Sequence, residues 1–137
     1  MSFTPYLSFD GTCAEALNFY AEIFGGEARI AQTVAQSPMA AQFDAEQQGL
    51  VMHGELHVGA CVLMASDSLM GPYTAPAGFH IQMDYDDPDK AKRVFDRLAK
   101  HGQVRMEFAQ TFFSPGFGMC VDRYGTPWMI VCSAEAH

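Results

Sequence analysis

Three side chains capable of acid–base or metal chemistry alternate along one short segment. His53, Glu55 and His57 are separated by single residues, and in a β-strand alternate side chains point to the same face. Two imidazoles and a carboxylate suffice for a divalent metal with an open coordination position. Without metal, Glu55 with its pKa raised by burial, or a neutral His53, could abstract a proton next to a carbonyl. The third possibility is a polar cluster that hydrogen-bonds internally or to a bound small molecule.

A tight two-residue turn is expected directly after this segment, at residues 58–59, because glycine favours such hairpins. A turn there predicts that Glu55 lies opposite Val62 and His53 lies opposite Met64 on the next strand.

Four aromatic side chains fall close together near the end of the sequence: Phe112, Phe113, Phe117 and Trp128. Such rings can supply a flat apolar wall to a small-molecule site. The competing interpretation is that Trp128 belongs to core or dimer packing.

Cysteine usage indicates buried, reduced thiols, since the four cysteines are widely spaced and no CxxC pair occurs. A disulfide or zinc cluster is the alternative. Cys13, at a predicted helix start where the helix dipole favours thiolate, is the candidate for reactivity.

The elements that must position these groups are arranged as a repeat. In each half, apolar residues at i, i+4 and i+7 precede glycine and then arginine. These positions are Ala16, Tyr20, Ile23, Gly26 and Arg29, and then Ala91, Phe95, Leu98, Gly102 and Arg105.

Each half is predicted to run strand, helix and three strands. The first half has strands at 3–9, 28–34, 50–57 and 60–65 and a helix at 13–24, capped by Asp10 or Thr12. The second has strands at 79–85, 103–109, 118–122 and 127–132 and a helix from Asp87 and Pro88 to about residue 100. We therefore expect an α+β fold of two tandem βαβββ modules in a single domain, 1–137. Module one covers about 1–66, a linker 67–77 and module two about 78–135.

Composition and charge limit the kinds of partner that this protein is expected to bind. The net charge of −8 repels phosphate backbones, so neither nucleic acid nor an anionic membrane surface is an expected partner. No apolar run reaches the roughly 18 residues of a membrane span, and the N-terminus lacks a secretory pattern. A cytoplasmic location is the expectation.

Three segments carry a family resemblance: PYLSFDGTCAEALNFYAEIFGGE, MHGELHVGACVLMASD and QTFFSPGFGMCVDRYGTPWMI. They resemble the PhnB-like branch of the vicinal oxygen chelate superfamily, which also contains glyoxalase I and the bleomycin-resistance proteins. The resemblance implies a cup-shaped mixed sheet of paired βαβββ modules, the glyoxalase/bleomycin resistance-like fold, usually in a homodimer. Exposed sheet edges and one apolar face also favour a homodimer.

Metal-dependent members of this superfamily place His or Glu at four inward positions, which the resemblance carries over to Pro5, Met64, His80 and Met129. Of these only His80 could bind a metal, since proline has no side-chain donor and a thioether is a soft ligand. The usual four-ligand site is therefore not expected, nor is glyoxalase or dioxygenase activity.

The resemblance also implies that Met64 faces into the cup, so His53 and Glu55 point inward with it. His80 is expected to reach the same space from the other module. His53, Glu55 and His80 are therefore the catalytic candidates. No cofactor is expected, and a divalent metal bound at a displaced site by these residues is the lesser alternative. The ligand-binding candidates are Met64, Phe112, Phe113, Phe117, Trp128 and Met129.

Two functions remain open. The first is a module that binds a small, partly apolar molecule in the cup. The second is an isomerase, lyase or hydrolase that acts on a small oxygenated substrate, with or without a metal. The demethylubiquinone methyltransferase label of this branch has no support in the sequence, because no strand is followed by a glycine-rich loop and an acidic ribose partner.

Overall fold

Residues 1–133 are described by a computed structural model, in which the chain divides into two compact units. The first unit is Met1–Thr74 and the second begins at Ala75. Each unit has the order strand, helix and three strands, which confirms the predicted α+β fold of two βαβββ modules. The expected end of module two, near residue 135, lies outside the described residues.

The first unit is a four-stranded sheet with one helix. Its elements are β1 (Tyr6–Phe9), α1 (Cys13–Phe24), β2 (Glu27–Thr33), β3 (Val51–Val58) and β4 (Cys61–Asp67). The strand order is β1-β4-β3-β2, with β1 parallel to β4 and the other pairs antiparallel. Two short 3-10 turns, Ala40–Gln42 and Ala45–Gln47, lie in the long β2–β3 connection.

The second unit repeats this arrangement. Its elements are β5 (Ile81–Tyr85), α2 (Pro88–Ala99), β6 (Gln103–Ala109), β7 (Gly116–Val121) and β8 (Pro127–Cys132). The strand order is β5-β8-β7-β6, and again only the first pair is parallel. Among the described residues, neither helix is long and apolar enough to cross a membrane.

The first strand of each unit is shorter than expected. Strands were predicted from residues 3 and 79, but β1 begins at Tyr6 and β5 begins at Ile81. The apolar residues that suggested longer strands, Phe3 and Phe79, are exposed, so no side-chain packing holds the chain extended there.

The two helices receive their N-terminal caps in different ways. Asp87 accepts a hydrogen bond from the backbone N–H of Asp89 at 2.9 Å, with proline following as expected. Thr12 occupies the cap position of α1 but makes no side-chain cap hydrogen bond. The carboxylate of Asp67, at the end of β4, accepts from the N–H of Cys13 at 2.9 Å and from the N–H of Val51 at 2.9 Å. The prediction that Asp10 or Thr12 caps α1 was therefore wrong, because the acceptor comes from a distant strand.

Cys13, the candidate for reactivity, does not have the environment of a reactive thiol. Its side chain is completely buried, and burial, reinforced by the charge of Asp67, raises the pKa of the thiol to about 12. Cys120 and Cys132 are buried as expected, whereas Cys61 is exposed at the start of β4. All four cysteines are free thiols.

Candidate functional site

Helix α1 covers one face of the first sheet and thereby defines the other. A Cβ atom added to Gly54 would lie 2.8 Å from a methyl carbon of Leu17, so Gly54 points at the helix. Leu56, two residues along β3, is buried on the same side. The alternate residues of β3 therefore point to the opposite face of the sheet, which we call the open face.

The hairpin between β3 and β4 determines which residues share the open face. Glu55 pairs with Met64 and His57 pairs with Val62, so the turn lies at residues 59–60. The predicted register was therefore wrong by two residues. An even shift leaves every side chain on its predicted face, and so Met64 lies on the open face beside Glu55.

Glu55 joins two imidazoles. Its Oε2 lies 3.0 Å from Nε2 of His53, and its Oε1 lies 2.7 Å from Nε2 of His57. The side chains of His53, Glu55 and His57 are 31%, 25% and 25% exposed. The three residues that sequence spacing placed on one face thus form one hydrogen-bonded cluster that solvent can reach.

A fourth residue, Tyr6, extends the cluster across the parallel strand pair. Tyr6 pairs with Met64 in the β1–β4 ladder, and its hydroxyl lies 3.1 Å from Nδ1 of His53. The sequence interpretation missed Tyr6. The available signal was its alternation with Leu7 and Phe9, which are buried against the helix side.

The hydrogen-bond partners assign the tautomers. An ionised carboxylate can only accept, so His53 and His57 each donate an Nε2–H to Glu55. In the neutral form of His53, Nδ1 is then an acceptor, to which the Tyr6 hydroxyl donates. Arg29 Nη1 lies 3.5 Å from His57 Nε2, but this nitrogen donates its hydrogen to Glu55 and so cannot accept one from Arg29.

The pKa of Glu55 is shifted in the direction opposite to the one expected from the sequence. Hydrogen bonds from His53 and then from His57 lower the pKa of Glu55 below its usual value, and these outweigh the effect of burial. Glu55 is therefore a carboxylate at neutral pH and a weak base. The prediction of a carboxyl group whose pKa is raised by burial was wrong, since its neighbours supply donors and a quarter of it is exposed.

Strand β2 contributes an ion pair at the edge of the cluster. Arg29 pairs with Glu55 in the β2–β3 ladder and Glu27 pairs with His57. The Arg29 guanidinium lies 3.0 Å from the Glu27 carboxylate, which lowers the pKa of Glu27. The positive charge of Arg29 is thus largely compensated by its own neighbour.

The positions carried over from metal-dependent proteins do not form pairs in the ladders. On β1 the residue that pairs with Met64 is Tyr6, one after Pro5. In the second unit Met129 pairs with Gln82, whereas His80 precedes β5. Within residues 1–133, no group of three or more His, Cys, Asp or Glu side chains is arranged to hold a metal ion.

The aromatic candidates of the second unit divide between two environments. Phe113 packs edge-on against Phe112 and Phe117, with ring centroids 5.0 Å and 5.1 Å apart. Phe112 is fully exposed, and Phe117 is buried. Trp128 is also buried, and its indole N–H donates to the Asp122 carboxylate at 2.8 Å. This environment agrees with the alternative in which Trp128 belongs to the core.

Comparison with known proteins places this arrangement in a family. A family model described as 3-demethylubiquinone-9 3-methyltransferase matches residues 1–131. The chain belongs to this family. The resemblance to its PhnB-like members is confirmed, and the family description names an activity without identifying the groups that would carry it in this chain.

Individual proteins similar to this PhnB-like chain support the same family membership. Protein YjdN of Escherichia coli is 32% identical over 95% of this chain and 94% of its own length. The crystal structure of PA1353 from Pseudomonas aeruginosa has a TM-score of 0.88 at 36% identity and covers 97% of this chain and 98% of that one. A putative 3-demethylubiquinone-9 3-methyltransferase, PhnB protein, from Bacillus cereus has a TM-score of 0.78 at 25% identity, covering 97% and 100%.

Proposed function

We propose that this PhnB-like protein binds a small molecule against the open face of its first sheet. The observation that carries the proposal is the chain of hydrogen bonds from Tyr6 through His53 and Glu55 to His57. It holds four polar groups in fixed orientations while leaving a quarter to a half of their surfaces exposed. Polar groups that are already oriented lose little entropy when a ligand binds.

An apolar surface adjoins these polar groups. Met64 pairs with both Glu55 and Tyr6 and lies between them on the open face, partly exposed. A thioether is flexible and polarizable, so it can contact ligands of irregular shape. A few oriented polar groups beside an apolar surface are typical of small-molecule sites.

Residues of the second unit remain candidates for ligand contact in their own right. His80, Met129, Phe112, Phe113 and Phe117 are part of the proposal on sequence grounds. Trp128 is not, since its ring is enclosed and its N–H is already bonded.

Acid–base catalysis is the second candidate function, and the tautomer of His53 favours it. A neutral imidazole whose Nε2–H is held by Glu55 presents its other nitrogen, Nδ1, as an acceptor, and the Tyr6 hydroxyl bound to it can pass on a proton. The methyl transfer that the family description names is not proposed, because the β1–α1 and β5–α2 connections, residues 10–12 and 86–87, lack a glycine-rich loop.

Removal of the cluster is expected to remove the ligand. Protein purified from its native host without a histidine tag, then denatured and analysed by mass spectrometry, is expected to release a small molecule. A His53→Ala, Glu55→Gln double variant is expected to release at least about tenfold less, which is 1.4 kcal/mol of binding energy. Asp96→Asn, an exposed carboxylate on α2 paired with Lys92, is the control and is expected to retain it. Equal amounts from the double variant and wild type would contradict the proposal.

We also propose that the protein is a homodimer in the cytoplasm. Four edge strands, β1, β2, β5 and β6, are available for pairing or covering, and apolar side chains on β2 and β6 are exposed: Ile30, Val104 and Met106. Free cysteines are consistent with a reducing compartment. Small-angle scattering at micromolar concentration is expected to give twice the 15.1 kDa chain mass, and a monomer mass would contradict the dimer.

A further inference from the structure

Tyr6 is the most exposed member of the open-face cluster, with 52% of its surface accessible. Its ring lies 5.8 Å from that of His53 at an angle of 31°, and its hydroxyl is 3.1 Å from His53 Nδ1. Tyr6 is therefore the member of the cluster that is most accessible to a ligand that approaches this face.

The direction of the hydrogen bonds decides what the Tyr6 oxygen can do. When His53 is neutral, its only N–H is the one that donates to the Glu55 carboxylate at 3.0 Å, so the single hydroxyl hydrogen of Tyr6 is used toward His53 Nδ1. The remaining lone pairs of the Tyr6 oxygen can only accept a hydrogen bond. This position therefore selects a ligand group that donates, and it disfavours an ether or carbonyl oxygen, which would leave acceptors facing each other.

Building on the proposed binding site, we infer that the open face takes a ligand with an acidic hydroxyl, an enol or a phenol. Its O–H donates to the Tyr6 oxygen and its proton is passed through Tyr6 to His53. In this step the ligand O–H bond breaks and a Tyr6 O–H bond forms. The former Tyr6 hydrogen leaves its oxygen and forms N–H at Nδ1 of His53. The products are the ligand enolate or phenolate and an imidazolium.

The charges around His53 support this transfer. The imidazolium formed at His53 lies 3.0 Å from the Glu55 carboxylate, which is ionised because its hydrogen-bond donors lower its pKa. The Arg29 charge farther along the cluster is balanced by Glu27 at 3.0 Å, and His57 donates to Glu55. On β4 the neighbouring residues of the open face, Val62, Met64 and Ser66, carry no titratable group. Glu55 is therefore a positioning residue that also stabilises the new charge.

A chromophoric phenol tests the inference directly. 4-Nitrophenol is titrated with wild-type protein at neutral pH, at which the free probe is present as both phenol and phenolate, and its phenolate absorption band is recorded. We expect the ratio of phenolate to phenol to be at least about tenfold higher in the bound probe than in the free probe, which corresponds to one pH unit. 4-Nitroanisole, the methyl ether of the same probe, is expected to bind more weakly.

Variants separate proton transfer from binding. Tyr6→Phe and His53→Gln are each expected to bind 4-nitrophenol without the increase in the ratio of phenolate to phenol. Because Tyr6 and His53 are not core residues, both variants are expected to fold, and circular dichroism checks this. Tyr85→Phe, which removes a hydroxyl from β5 in the second unit, is the matched control and is expected to behave as wild type.

Two results would overturn the inference. One is a wild-type protein that binds 4-nitrophenol only in its neutral form and as tightly as 4-nitroanisole. The other is a wild-type protein that binds neither probe at millimolar concentration. If the native ligand is nevertheless lost from the His53→Ala, Glu55→Gln variant, the binding function stands and only the acidic-hydroxyl inference fails.

Discussion

Replacing Asp67 with alanine is expected to lower the free energy of unfolding by about 3–6 kcal/mol, since each of two hydrogen bonds to a charged group contributes about 1.5–3 kcal/mol. Asp67 is 3% exposed and accepts from two backbone N–H groups, those of Cys13 and Val51, at 2.9 Å each. It therefore joins the start of α1 and the start of β3 to the end of β4. Alanine would leave both buried donors without an acceptor.

Chemical denaturation with urea measures this change. The control is Asp10→Ala, which removes an exposed carboxylate that sequence reasoning offered as a cap for the same helix. It is expected to change stability by less than about 0.5 kcal/mol, as is usual for surface substitutions. A loss of less than about 1 kcal/mol in Asp67→Ala would show that water replaces the carboxylate at little cost.

The second large effect is expected at Gly26 and Gly102, the glycines that lead from each helix into the next strand. A Cβ atom at Gly102 would overlap the carbonyl oxygen of Val121 and would lie 2.9 Å from the carbonyl carbon of Asp122. A Cβ atom at Gly26 would overlap the carbonyl oxygen of His57 in the same way. Both neighbours are backbone atoms of a paired strand, so they cannot rotate away. Gly102→Ala and Gly26→Ala are each expected to cost about 3 kcal/mol or more, the upper part of the range for overpacking.

A matched glycine distinguishes this overlap from loss of backbone freedom. Gly59 has a positive φ of 57° and nothing within 4 Å of an added Cβ, so Gly59→Ala is expected to cost only about 1 kcal/mol through backbone strain. Urea denaturation of the three variants is the measurement. Equal costs at Gly59 and Gly102 would contradict the role of close approach.

The same two positions explain why the repeat could be recognised from the sequence. Glycine recurs at 26 and 102 because the chain there passes against the neighbouring strand. The residue before it has a positive φ in both units, 74° at Gly25 and 64° at His101, but nothing lies within 4 Å of an added Cβ at Gly25. The close contact therefore requires glycine, whereas the left-handed position also accepts histidine at a modest cost.

Secondary structure was predictable because its determinants are local. Helix α1 and strands β6 and β8 have the bounds that were expected. The apolar positions of the two helices recur at helical spacing and are buried in both units. The face of β3 that carries His53, Glu55 and His57 was predictable for the same reason, since period-two alternation does not depend on the partner strand.

Features that depend on distant contacts were not predictable. The cap of α1 comes from Asp67, 54 positions after the amide that it accepts from. Tyr6 reaches His53, 47 positions away, only because β1 pairs with β4 in parallel. The pKa of Glu55 was predicted to be raised but is lowered, because the direction of the shift depends on which hydrogen-bond donors face the carboxylate.

The sequence by itself determined two βαβββ units, their apolar helix faces and the alternation that puts two histidines and a glutamate on one side of a strand. These follow from periodicity and from glycine positions, which are properties of neighbouring residues. Only the tertiary structure decided that Tyr6 completes the cluster, that Glu55 is ionised and that Trp128 is enclosed. Those outcomes depend on pairing between strands far apart in the chain, where a hydrogen bond and its geometry exist only after the sheet has formed.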